Sequence, residues 1–175
     1  TVELIFETTA RIIQRDGIDG VTTNQIAVEC GISIGSLYQY FSNKNALLTA
    51  MAERDLMATS RTVQRAVQQA MDKGDQNLDE AAAQALLKSI SPRHRVRRAL
   101  VEYATRIGRF DILQLPLMEV EQMYAQGAHS GAPIKPMPAL QAFVMTSAVT
   151  GVLHAALMRD GLWLESNELA AEIAR

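Results

Sequence analysis

The sequence predicts an all-α protein in two parts. Residues 1–45 form an N-terminal three-helix helix-turn-helix domain, and residues 46–175 form a C-terminal helical domain. Three observations carry this reading. Apolar residues from Val2 onward recur at i, i+3 and i+4, the spacing of helices with a buried face. Residues 22–44, TTNQIAVECGISIGSLYQYFSNK, divide into two short helices around a tight turn at Cys30-Gly31-Ile32-Ser33. Beyond Gly74 the composition shifts to Ala, Leu and Met, and residues 138–160 are apolar nearly all round.

The first helix is expected over residues 2–16, with Val2, Ile5, Phe6, Thr9, Ile12 and Ile13 on one face. It stops at Asp16-Gly17, and Ile18 and Val21 return the chain to the core. Thr22 opens the second helix by capping the amide of Gln25, and Gln25 reaches back in a T-x-x-Q capping box. Ile26, Ala27 and Cys30 face inward on it, Cys30 as a buried structural thiol. Gly31 supplies the left-handed or close-packed backbone position that the sharp turn needs. Ser33 caps the third helix, whose inner face holds Leu37 and Phe41. That leaves Ile34, Gly35, Ser36, Tyr38, Gln39 and Tyr40 facing outward, where tyrosines beside small polar residues suit phosphates and base edges. A fourth helix opens near Ser42 or Asn43 and runs through Leu47, Leu48, Met51, Leu56 and Val63 to fade near residues 71–75. At about 28 residues it spans roughly 40 Å.

Residues 17–48 read G-x-x-x-x-T-T-x-x-I-A-x-x-x-G-I-S-x-G-S-L-Y-x-Y-F-x-x-K-x-x-L-L. This pattern resembles the amino-terminal domain of TetR-family transcriptional regulators. The resemblance covers the first fifty or so residues; the remainder is similar only in being helical and of suitable length. It implies that Thr23, Tyr38 and Lys44 sit at phosphate-contact positions. Asn24, Ile34, Gly35, Ser36, Gln39 and Tyr40 then match positions that touch bases or nearby backbone. Ile34 stands where many relatives carry a polar or basic residue, so a contact there is apolar, for example to a thymine methyl. Cys30 stands where alanine is common. The implied function is a dimeric, ligand-responsive transcriptional regulator, most often a repressor, that binds a pseudo-palindromic double-stranded DNA operator and is released by a small-molecule effector.

The second domain is expected to hold helices at about 77–90, 92–109, 112–126 and 138–160, and the start of another at 165–175, with a loop over 127–138. Pro92 and Pro116 fit first-turn positions. Helix 138–160 must be buried on several sides, and its small residues Ala148, Gly151, Val152 and Ala155 allow close approach of a partner helix. With the helix after it, the segment resembles the family's dimerising pair; an ordinary core helix is the alternative. Aromatic and methionine side chains gather in this part, and the resemblance implies an effector among Tyr103, Phe110, Met118, Met123 and Phe143. Plain core packing is the competing reading for each.

Residues 1–50 carry three basic and five acidic groups, where a nucleic-acid domain usually shows a basic footprint. Family members often carry a basic arm before the first helix. The chain starts at Thr1 without a methionine and stops within a helical pattern, as a trimmed or partly observed chain does. The basic run 93–98 reads as a solvated helix start, with a second nucleic-acid site or an anion site as alternatives. No membrane span is expected, and one cysteine with no signal peptide points to the cytoplasm. His94, His129 and His154 lack metal-ligand spacing, and neither a phosphate-binding glycine loop nor a nucleophile elbow occurs. No catalytic residues, metal or cofactor are therefore assigned. The rival to a DNA reader is an all-helical ligand-binding or protein-interaction module that does not read DNA.

Overall fold

A computed structural model describes residues 1–74, 78–112, 118, 128–129, 132–133, 138–159, 162–165 and 167–173. Six helices precede residue 107: α1 (Val2–Asp16), α2 (Thr23–Cys30), α3 (Ile34–Tyr40), α4 (Lys44–Asp72), α5 (Leu78–Ile90) and α6 (His94–Arg106). Two follow among the described residues, α7 (Ala139–Met158) and α8 (Asn167–Ile173). Short 3-10 turns cover Ser91–Arg93 and Leu162–Glu165, and Ala128–His129 pairs antiparallel with Ala132–Pro133. The all-α architecture is as the sequence predicts. Of the expected helix over 112–126 only residues 112 and 118 are described, both helical, and most of the expected loop over 127–138 lies outside the described residues.

The chain divides into two compact units. The first comprises residues 1–55 together with 95–112. Ile5, Ile12, Val21, Ile26, Leu37, Leu47 and Leu48 form its core, each essentially without solvent contact. Val2, at the start of the expected apolar stripe of α1, is exposed instead. Phe6 meets Phe41 at 5.5 Å between ring centroids, fixing the end of α3 against α1. Helix α6 completes this core with Val96, Leu100, Val101 and Tyr103. It is held by three polar ties: Arg97, buried, to Asp55 at 2.6 Å; Arg106 to Asp19 at 2.8 Å; and the Tyr103 hydroxyl to Asn45. The basic run 93–98 is therefore only partly a solvated helix start, because Arg97 is an internal strut. The charge balance changes too. Residues 95–112 bring five basic and two acidic groups, and residues 51–55 bring one and two, so the unit holds nine of each.

The second unit comprises residues 56–94 and 113–175. Val67 and Ala70 of α4, Ala83, Leu87 and Ile90 of α5, and Leu164 supply buried apolar side chains. Helix α5 packs against α8 and against the 162–165 turn, which also meets α7. The Thr59 and Ser89 hydroxyls, 2.9 Å apart, join α4 to α5. Pro92 occupies the first turn of the 3-10 segment, as its missing N–H permits. Helix α4, with 29 residues, extends about 43 Å at 1.5 Å per residue.

Helix α7 departs from its expected burial. Ala142, Thr146, Leu153, Ala156 and Leu157 are buried, whereas Leu140, Phe143, Val144, Ala148, Gly151, Val152 and Ala155 are exposed in the single chain. Its 20 residues are long and apolar enough, by length and composition, to cross a membrane.

Candidate nucleic-acid interface

Local capping shapes the outward-facing surface. Thr22, in extended backbone, accepts a hydrogen bond from the Gln25 amide at 3.2 Å and starts α2. The reciprocal half of the expected capping box is absent. Gln25 Nε2 instead donates to Asp16 at 2.9 Å and Glu29 at 3.4 Å. Both acceptors are carboxylates, and these charge-assisted bonds turn the Gln25 amide toward Asp16 and Glu29 and away from the Thr22 N–H that its oxygen was expected to accept from. Arg15 joins them, donating to Asp16 at 2.8 Å and Glu29 at 2.7 Å, so charged side chains brace α1 against α2. The Arg15 guanidinium holds both carboxyls below their usual range, and it is itself held above its ordinary value by Asp16 and then Glu29.

The turn between α2 and α3 closes as expected. Gly31 lies at φ 68° and ψ 30°, with its amide donating to the Val28 carbonyl and the Ile32 amide to the Ala27 carbonyl. These two bonds are a Schellman closure, which requires a left-handed residue at this position. Cys30 just before it is half-buried, not enclosed, with its thiol 3.8 Å from the Leu4 carbonyl. Ser33 then caps α3, accepting from the Ser36 amide at 3.0 Å.

Helix α3 has only seven residues, anchored by Leu37, which is 0 % exposed. Ile34, Gly35, Tyr38, Gln39 and Tyr40 face solvent, the two tyrosines each 48 % exposed. Ser36 is half-buried, and its hydroxyl lies 2.8 Å from that of Ser33. The Tyr38 hydroxyl stands 3.4 Å from Thr23 Oγ1, which joins two of the three predicted phosphate contacts into one patch. Asn24 is exposed one residue further along α2. Asn43 caps α4 by accepting from the Ala46 amide at 2.9 Å. Lys44, the third predicted phosphate contact, donates to the Asp19 carbonyl at 3.4 Å. Burial pushes its ammonium below the usual value, with Asp19 opposing and Arg106 reinforcing that shift.

The residues predicted for the second domain are not placed together in this way. Tyr103 is buried in the first unit, hydrogen-bonded to Asn45, and Phe110 is exposed in the same unit. Met118 and Phe143 are exposed in the second unit, and Met123 lies outside the described residues. Ala148, Gly151, Val152 and Ala155 share one exposed stripe of α7. Among the described residues, no group of three or more His, Cys, Asp or Glu side chains gathers as a metal site. What the sequence reading missed is Arg106. It lies 87 positions from Asp19, and no local pattern links the two.

Comparison with known proteins places this geometry. Residues 5–51 match the family model described as bacterial regulatory proteins, tetR family. An uncharacterized HTH-type transcriptional regulator, YerO of Bacillus subtilis (strain 168), is 41% identical over 51 residues, covering 29% of this chain and 18% of that protein. A second such regulator, from Haemophilus influenzae, is 36% identical over 52 residues, covering 30% of this chain and 28% of its own length. The matched region thus spans less than a third of either relative. Solved structures extend the likeness of fold to 99% of the chain. They include the multidrug binding protein EbrR complexed with imidazole (TM-score 0.72, 18% identity, 92% of that chain). Another is the transcriptional regulator FadR of Bacillus subtilis in complex with stearoyl-CoA (TM-score 0.71, 16% identity, 96% of that chain). A third is SmeT, the repressor of the Stenotrophomonas maltophilia multidrug efflux pump SmeDEF (TM-score 0.64, 19% identity, 86% of that chain).

Proposed function

With residues 5–51 as an amino-terminal domain of the tetR family, we propose that this chain is a dimeric, ligand-responsive transcriptional regulator, acting as a repressor in the cytoplasm. The observation that carries the proposal is the outward face of α3. Ile34, Gly35, Tyr38, Gln39 and Tyr40 are presented to solvent there by a helix anchored through Leu37 and clamped at both ends. A helix of this kind lies in the major groove, with Ile34, Gly35, Gln39 and Tyr40 toward base edges. Thr23, Tyr38 and Lys44 hold flanking phosphates and fix the register. Ser36 reaches the groove once its hydroxyl turns from Ser33.

A second copy of the chain covers the exposed stripe of α7 in this reading. Small residues at Ala148, Gly151 and Ala155 let two helices approach closely, while Leu140, Val144 and Val152 supply the apolar area. The same helix has the length of a membrane span, but the match of residues 5–51 to DNA-binding regulators favours a subunit interface. Two subunits related by a two-fold axis read a pseudo-palindrome. The effector is a small molecule held by the second unit, with Met118 and Phe143, both exposed there, as the candidate lining that remains. Two solved structures of similar fold hold small organic molecules, imidazole in EbrR and stearoyl-CoA in FadR, which supports an effector of that kind. Release follows when the effector prefers a conformation that binds DNA poorly. No reaction is assigned to the chain.

The test is selection of bound duplexes from a random DNA pool by the full chain. Enrichment of a two-fold symmetric sequence, with affinity falling steeply in salt, is the expected result. Absence of enrichment at low salt, from protein shown to be folded and dimeric, would replace this reading with a helical interaction module that does not read DNA.

A further inference from the structure

We infer that Arg106 of α6 is a phosphate-binding residue that works beside Lys44, with Asp19 as a stand-in for the DNA phosphate in the unbound protein. The inference rests on the DNA-reading role proposed for residues 22–44. Two cations from distant parts of the chain converge on one residue. A terminal guanidinium nitrogen of Arg106 donates to Asp19 Oδ1 at 2.8 Å, and Lys44 Nζ donates to the Asp19 carbonyl at 3.4 Å. The guanidinium is also held in place from behind. Its carbon lies 5.1 Å from the centroid of the Tyr103 ring, and the Tyr103 hydroxyl is tied to Asn45, the neighbour of Lys44. Ring and hydrogen bond together fix the arginine relative to the lysine without burying it.

Exposure and chemistry then separate this pair from a structural strut. Arg97, in the same helix, is 6 % exposed on its side chain and pairs with Asp55 inside the unit. The Arg106 and Asp19 side chains are 54 % and 79 % exposed, so solvent and ligands reach both. An ion pair this exposed adds little to stability, and its carboxylate is readily exchanged. A guanidinium presents five donors in a planar fork that fits two oxygens of a phosphodiester. The exchange would also bring one positive charge of α6 to bear on DNA, where the first fifty residues carry more acidic groups than basic ones.

The experiment is equilibrium binding of the full chain to a fluorescent duplex enriched by the wild-type protein, across about 50–200 mM salt. Arg106→Gln is expected to bind several-fold more weakly, with the slope of log affinity against log salt reduced by about 0.9 for each phosphate contact removed. Asp19→Asn breaks the same ion pair but keeps the cation, and it is expected to bind more tightly. A merely structural pair would make both variants weaker. In the Asp19→Asn background, Arg106→Gln is again expected to reduce the slope; no change there in affinity or slope overturns the inference. Thermal unfolding of each variant separates lost folding from lost contact. Tyr38→Ala serves as the control for the underlying reading. Weakening by Tyr38→Ala with no effect of Arg106→Gln sinks the inference alone, and a folded wild-type protein that binds no duplex sinks both.

Discussion

Gly35 shows how one residue can be read for function. A Cβ built there would meet only Ser33 Oγ, at 3.7 Å, an ordinary contact, so nothing within the chain demands a glycine. Glycine inside a helix is nevertheless about 0.5–1 kcal/mol less favourable than alanine. The position suits the close approach of something outside the protein. Gly35→Ala is therefore expected to raise the unfolding free energy by about 0.5–1 kcal/mol in a urea titration while weakening duplex binding. A gain in stability with binding intact would remove Gly35 from the interface. Gly31 is the opposite case, since its φ of 68° strains any residue with a Cβ although space is open around it. The sequence showed both glycines as turn or surface positions because each sits in a dense local pattern. It misassigned the Gln25 side chain, whose partner Asp16 lies nine positions back across a turn. A capping rule based on three-residue spacing does not include such a competitor.

Among the elements, α1 and α2 are joined by charge as well as by packing. Asp16 and Glu29 are held below their ordinary values chiefly by Arg15, with Gln25 adding to both. A carboxyl whose value is depressed in the folded state stabilises that state above its unfolded value and ceases to do so as pH falls through the folded one. The contribution is thus complete above roughly pH 4.5 and fades in stronger acid. Thermal midpoints measured between neutral pH and about pH 3 should drop on the acid side, with a shallower drop in Asp16→Asn. Identical profiles would mean that the brace adds nothing to stability. Every helix of the first unit was legible as an element from apolar spacing and caps. The joining of α6 to α4 and to the loop between α1 and α2 was not, because Arg97 to Asp55 and Arg106 to Asp19 span 42 and 87 positions. Pairings at that range leave no period in the sequence.

For the whole molecule, α7 is the element whose sequence and surroundings disagree within one chain. Its apolar character was plain, and the positions singled out for a partner helix, Ala148, Gly151, Val152 and Ala155, lie on its exposed stripe; how much more of the helix would lie bare was not legible, since composition does not say how many neighbours a helix has. In the proposed dimer, Val152→Glu would place a charge in a closed apolar seam, at the severe cost of burying an unpaired charge. The expected outcome is a halved mass by light scattering and a large loss of operator affinity, because a monomer engages one half-site. An unchanged mass would move the subunit contact elsewhere. The first unit raises a different question, that of target search. Its nine basic and nine acidic groups cancel. Attraction to arbitrary duplex grows with the number of phosphates a protein neutralises, so this unit has little hold on the bulk of a genome. In the proposed DNA-reading role it would slide along DNA less than a strongly basic domain, and would depend on shape and contact at the correct sequence to stay bound. A regulator built on such a unit would draw its hold on DNA from specific contacts more than from charge, and would be the less sequestered by wrong sites on that account.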